Sequence, residues 1–184
     1  MTKKTKYEGK WLNFYEISFT NSAGEPGEWE YAARIGSEGA ACVIAIKDEA
    51  EPQLILIRQF RPPIGNYAIE FPAGLVDSGE SIESAALREL EEETGYTGDV
   101  LHVGPPIFSS PGLTDEQVSL VTVKVTGQNE TRHEPDEKIE VLTVPLKDLM
   151  KRLSGFQAEG TALDAKLWSF AQGLSWNSPG EGAT

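Results

Sequence analysis

The chain contains a single cysteine, Cys42, in 184 residues. No internal disulfide can form, and a reducing compartment is the simpler setting for such a protein. Cys42 lies inside "AACVIAI", which predicts a buried core thiol rather than a reactive one. Histidine is almost as scarce: His102 and His133 are the only two, neither near a motif, so both read as surface or loop residues. No apolar run approaches the roughly 20 residues of a membrane-spanning helix. The start, "MTKKTKYEGK", is positive but has no apolar stretch behind it, so no secretory signal is read. Basic residues are the next shortage. With 16 Lys and Arg against 29 Asp and Glu, the formal net charge is -13, which argues against nucleic acid and anionic membrane as partners. A small anionic ligand stays open, because a bound cation can reverse the local sign. The expectation is a cytoplasmic protein.

What is present fits one domain with a short accessory element. Hydrophobic content of 39% and charged content of 24% are ordinary for a folded soluble protein. Residues 11–19 and 28–34 read as strands joined by the Gly/Pro turn "NSAGEPGE", a hairpin-like arm within residues 1–36. "AACVIAI" and "QLILIRQF" read as buried central strands, and "AIEFPAG" as a short strand running into a loop. A helix is predicted over residues 82–94, with Ser81 as N-cap and Gly95 just past its end. "QVSLVTVKVT" and "KIEVLTVP" follow as strands, "LKDLMKRLS" and "TALDAKLWSFAQGL" as helices. Residues 37–174 are thus expected to form the main domain and 175–184 a flexible tail. Strands interleaved with helices predict an α/β sandwich.

The predicted helix ends in an odd way. Glu89, Glu91, Glu92 and Glu93 crowd four carboxylates into five positions just before Gly95. Anions in a last helical turn oppose the helix dipole, at roughly 0.3–1 kcal/mol each when exposed. At 100° per residue, Glu89, Glu92 and Glu93 fall in one wedge of about 100°, and Glu91 points nearly the other way. A solvated acidic face is the plain alternative. Against it, Leu87, Leu90 and two alanines show a packed helix, and Glu80 stands at its entry. Convergent carboxylates without matching bases suit a hard, oxygen-seeking divalent cation such as Mg²⁺ or Mn²⁺.

Gly74, Glu80 and then "RELEEETGY" from Arg88 resemble the Nudix box, G-x5-E-x7-R-E-U-x-E-E-x-G-U. Every fixed position matches, and Tyr96 in an apolar slot is the one mild departure. The resemblance implies a Nudix-type α/β/α sandwich with a mixed sheet and an N-terminal antiparallel β arm. It implies an enzyme that hydrolyses a nucleoside diphosphate linked to another group. It also implies two or three divalent ions held by Glu89, Glu92, Glu93 and the Ala73 carbonyl, Glu92 being catalytic as well. Gly74, Glu80, Arg88 and Gly95 would then be structural.

The segment "RQFRPPIGNYAIEFPAGLVDSGE" and the arm's "GKW" resemble the ADP-ribose or ADP-sugar pyrophosphatase branch of that family. Pro111, fifteen positions after Tyr96, is a further marker of the branch, though Pro-Gly is also a common turn pair. This resemblance implies ADP-ribose or another ADP-sugar as substrate and AMP plus a sugar phosphate as products. Arg61 would contact the diphosphate, a task suited to a guanidinium fork. Trp11 and Trp29 would stack the adenine, one from each subunit of a homodimer, with Arg34 and Leu113 also binding substrate. The general base resembles a glutamate on the loop "HEPDEKIEVL", where Glu134, Asp136, Glu137 and Glu140 are candidates and "EKIEV" picks Glu137. Two other functions remain in view. One is hydrolysis of a GDP-sugar or a dinucleotide, and the other is a sensor that binds ADP-ribose or NAD without cleaving it.

Overall fold

The structure, a computed structural model, describes residues 1–131 and 138–176. Its first three strands, β1 (Thr2–Glu8), β2 (Leu12–Thr20) and β3 (Pro26–Arg34), make a small antiparallel sheet in that order. The chain then runs through β4 (Ala40–Lys47), β5 (Gln53–Arg61), β6 (Asn66–Glu70) and β7 (Ala73–Leu75) into α1 (Ile82–Thr94). It continues with β8 (Tyr96–Val103), β9 (Ile107–Phe108), β10 (Gln117–Gln128) and β11 (Ile139–Pro145). Last come α2 (Leu149–Ala158), β12 (Ala162–Leu163) and α3 (Ala165–Trp176). The described strands from β4 onward form one mixed sheet, ordered β12-β6-β5-β4-β10-β8, with β11 on β5, β7 on β4 and β9 on β10. Pairing is parallel for β10 with β4 and for β12 with β6, and antiparallel elsewhere.

The continuous apolar runs of β4 and β5 have two buried faces to fill, because side chains alternate along a strand. Ala41, Val43, Ala45 and Ile55 meet α1 through Ala85, Ala86 and Leu90. Cys42, Ile44, Leu54 and Leu56 face the other way, onto Leu149 and Leu153 of α2 and Leu167 of α3. Three layers result, an α/β/α sandwich, with Cys42 fully buried as its surroundings predict. Burial pushes its thiol up to about 12.

Helix α1 starts and stops where its local chemistry says. The Ser84 N–H donates to Ser81 Oγ at 3.1 Å, capping the first turn. At the other end Gly95 takes φ 73, a left-handed turn whose N–H bonds to the Glu91 carbonyl at 2.8 Å. Four segments elsewhere differ from expectation. Residues 161–163 are not helical: Ala162 and Leu163 pair with Ala68 and Ile69, and Asp164 caps α3 by accepting from the Lys166 N–H at 2.8 Å. Helix α3 runs to Trp176, so residues 175 and 176 belong to it rather than to a tail. The arm has three strands, not two. β1 is exposed along its whole length and carries no apolar alternation that would announce it. β8, broken by Gly98 and Asp99, gave no strand signal either, yet it pairs with β10.

Candidate active site

The fold brings the loop from β7 to α1 and the C-terminal half of α1 against one face of a cavity of about 510 Å³. Glu89, Glu92, Glu93, Arg88, Ala73, Gly74 and Arg61 line it, joined by Gln59, Leu75 and Asp77. The order of these groups follows from packing. Leu90 is fully buried, so its neighbours at 89, 92 and 93 are turned toward the β7 side of the helix. Glu93 is the most buried of them, at 5% exposure, and its Oε2 accepts the Ala73 N–H at 3.0 Å. Gly74 leaves room for the Glu89 carboxylate. A Cβ there would stand 1.9 Å from Glu89 Oε1, so any larger residue would evict that carboxylate.

Arg88 organises the entrance to the helix. Its Nε and Nη2 donate to Glu80 at 3.0 and 2.9 Å, and Nη2 also reaches the Leu75 carbonyl at 3.0 Å. Nη1 donates to Glu89 at 2.6 Å and to Glu92 at 3.2 Å. One guanidinium thus ties the loop to the helix and offsets part of the carboxylate repulsion. These bonds, those to Glu80 foremost, raise the Arg88 pKa further above its usual value. The same bonds from Arg88, with the Asp77 N–H, hold the Glu80 carboxyl below the ordinary carboxylate range.

Among the described residues, no three acidic, histidine or cysteine side chains are gathered about a single point ready for an ion. Arg88 draws Glu89 and Glu92 to itself, while Glu93 leans on the Ala73 amide. The donor set nevertheless fits a divalent cation: hard oxygens only, on one cavity wall, with Gly74 keeping space beside Glu89.

Arg61 sits on the same cavity and is paired with Glu70, Nε to Oε1 at 2.7 Å and Nη2 to Oε2 at 2.6 Å. This pairing, with Glu70 as its chief cause, raises the Arg61 pKa. The other expected ligand residues lie elsewhere. Trp29 borders a separate, largely apolar cavity of about 340 Å³ with Tyr31, Phe108, Pro111 and Thr114. Its indole N–H donates to the Gly112 carbonyl at 3.1 Å, and the Ala32 N–H donates to the Leu113 carbonyl at 2.9 Å. The loop carrying Pro111 and Leu113 therefore docks on β3. Arg34 borders a third cavity, of about 320 Å³, where its Nε donates to Glu116 at 3.0 Å.

Trp11 is exposed at the foot of β2, with the Lys10 ammonium 4.6 Å from its ring centre. Trp29 pairs with Ile17, six residues along β2 from Trp11. At about 3.3 Å per residue the two backbone positions stand roughly 20 Å apart along the sheet. Glu137, with Glu134 and Asp136, falls outside the described residues. Glu140 is exposed and bonded to Arg58 at 3.2 Å. Glu70, Gln59, Asp77 and Glu116 were not singled out from the sequence. Only Glu70 had a local signal there, a lone charge in the otherwise apolar "AIEF".

Sandwich, glycine loop and carboxylate helix together define a family. Residues 37–165 match the NUDIX domain, and the chain belongs to that family. Over 180 residues it is 37% identical to an ADP-sugar pyrophosphatase of Mus musculus, covering 91% of this chain and 83% of that protein. Over 178 residues it is 36% identical to an ADP-ribose pyrophosphatase of Saccharomyces cerevisiae (strain ATCC 204508 / S288c), covering 90% and 77%. A crystal structure of an ADP compounds hydrolase superposes with TM-score 0.69 over 84% of this chain and 81% of that one. At 24% identity that likeness speaks for the fold alone.

Proposed function

We propose that this chain hydrolyses the diphosphate bond of ADP-ribose and related ADP-sugars to AMP and a sugar phosphate. One observation carries the reading: the intact carboxylate wedge of α1 shares a cavity with an arginine suited to a diphosphate. The names of the two relatives support the substrate class. Glu89, Glu92, Glu93 and the Ala73 carbonyl would hold Mg²⁺ or Mn²⁺, two or three ions per site. When bound, such ions supply charge neutralisation at the diphosphate and a more acidic water. Arg61 binds the diphosphate oxygens, and Arg88 keeps the loop and helix in register. Glu137, which precedes β11 in the sequence, is the proposed base that takes the proton of the attacking water.

Trp29 takes one face of the adenine, and Trp11 of a second copy takes the other. The roughly 20 Å of sheet between the two backbone positions in one chain supports that division. So does the arm, which exposes Tyr7, Trp11, Leu12 and Trp29 and buries almost nothing of its own. A homodimer paired through the arms completes the site. Among the described residues no helix is long and apolar enough to cross a membrane.

The test is one reaction with ADP-ribose and Mg²⁺ in isotopically labelled water. AMP and ribose phosphate should form, with the label on one of them identifying the attacked phosphorus. Binding without product would make the chain a sensor, and faster turnover of a GDP-sugar or dinucleotide would move the substrate.

A further inference from the structure

Arg61 borders the acidic cavity, yet its guanidinium is already engaged by Glu70. The two bonds, 2.7 Å from Nε and 2.6 Å from Nη2, are a fork between two planar groups. Such a fork fixes the location of the guanidinium and its rotation together. It occupies the Nε edge, which leaves Nη1 as the corner for a ligand oxygen.

Glu70 is well placed to act as the fixed half. It ends β6, paired in register across from Ile57 of β5, and its side chain is only 15% exposed. The next residue, Phe71, is buried edge-on against Phe170 of α3. On the flank, the Asp164 N–H bonds to the Ile69 carbonyl at 3.1 Å, and Asp164 holds Lys166 at 2.7 Å. The attraction between Lys166 and Glu70 adds to keeping that lysine charged despite its partial burial. Glu70 therefore stands in a rigid, charge-balanced frame, while Arg61 ends its strand and leads into Pro62.

We propose that Glu70 is a positioning residue for the reaction: it holds Arg61 so that Nη1 faces the place of the substrate diphosphate. The proposal rests on the assignment of Arg61 to the diphosphate made above. Its opposite is a gate, in which Glu70 competes with substrate for Arg61.

Steady-state kinetics on ADP-ribose with Mg²⁺ separate these. Glu70→Gln should raise KM about tenfold, the size of one charge-assisted hydrogen bond, with a much smaller change in kcat. An unchanged or lowered KM overturns the proposal. Because Glu70→Gln also weakens an ion pair in the fold, the exchange variant Arg61→Glu with Glu70→Arg gives a second reading. It should recover much of the melting temperature lost by Glu70→Gln but none of the substrate affinity, since the guanidinium now starts from the wrong strand. Recovery of both would reduce the pair to a structural one and overturn the proposal. Arg61→Lys keeps the two readings apart. A raised KM there with no effect of Glu70→Gln sinks positioning alone, whereas no effect of Arg61→Lys sinks the diphosphate assignment itself.

Discussion

The arm and the sandwich are built on opposite terms. In the sandwich, β4 and β5 bury both faces and every layer contributes to a core. In the arm, β1 is exposed throughout, and of all three strands only Ala33 is buried. A three-stranded sheet with so little cover gains little from its own packing. Tyr7, Trp11 and Trp29 are left exposed on it, while Tyr15 and Tyr31 pack on each other. The groups suited to bond-breaking stand on the sandwich, and the aromatic ones stand on the arm. The difference suggests a division of labour: chemistry on the rigid body, recognition on the arm.

The largest effects should come from the sandwich. Glu92→Gln is expected to cut kcat about a thousandfold, several kcal/mol of transition-state stabilisation, with the fold unchanged. Circular dichroism and a turnover assay on the same sample check this, and retained activity would sink the metal assignment. Leu90→Ala, a fully buried side chain between α1 and the sheet, should cost about 2–5 kcal/mol of stability in denaturant unfolding. The arm offers no apolar position with an equal penalty, except through a partner copy. A concentration-dependent melting temperature for the whole chain would show that exception at work.

How much of this was legible in the sequence follows the same division. Everything local could be read. The ends of α1 are set by Ser81 and Gly95 within a few residues of themselves, and the carboxylate wedge follows from helical spacing alone. The apolar runs announced β4 and β5. What depended on distant partners could not be read. β1 is a strand because β2 offers it an edge, Thr2 opposite Ser18, and nothing in "TKKTKYE" says so. Residues 162 and 163 are extended because β6 offers an edge, although their apolar spacing continues that of α3. The capture of Arg61 by Glu70 joins two strands through side chains, beyond the reach of any spacing rule. The separation of Trp11 from Trp29 likewise appears only once Trp29 is paired with Ile17.

The middle-sized predictions compare the two regions directly. Mg²⁺ at about a hundred times its dissociation constant should stabilise the fold by about 2.7 kcal/mol, a rise of several degrees in melting temperature. Deleting residues 1–36 should leave that rise intact if the ions belong to the sandwich. No rise in the full chain would count against the carboxylate wedge as a cation site. Trp29→Ala should raise KM for ADP-ribose about tenfold, within the 1–3 kcal/mol found for a base stacked on an aromatic ring, and alter kcat little. A loss of kcat with KM unchanged would mean that the arm takes part in the chemistry, and the division of labour would fail.

The smallest effect concerns acid. Glu80 in the sandwich and Glu16 in the arm both have depressed pKa values, caused first by bonds from Arg88 and from Lys6. A carboxylate whose folded pKa is lowered contributes stability above its unfolded pKa and loses it as pH falls through the folded one. Both contributions should thus be whole at pH 7 and fade as pH falls below the ordinary carboxylate range. They should differ in weight. Lys6 and Glu16 meet through one bond at 2.7 Å on an open sheet, where salt and water screen the pair. Glu80 takes two bonds from an arginine that also holds Leu75, Glu89 and Glu92, so its loss loosens the whole loop. Melting temperatures of Glu80→Gln and Glu16→Gln against pH make the comparison. Glu80→Gln should lie below wild type at pH 7 and converge on it in acid, with a smaller gap for Glu16→Gln that closes in 0.5 M salt, where the Debye length is only about 4 Å. A Glu80→Gln gap that persists unchanged in acid would show that the Arg88 fork acts through shape rather than charge.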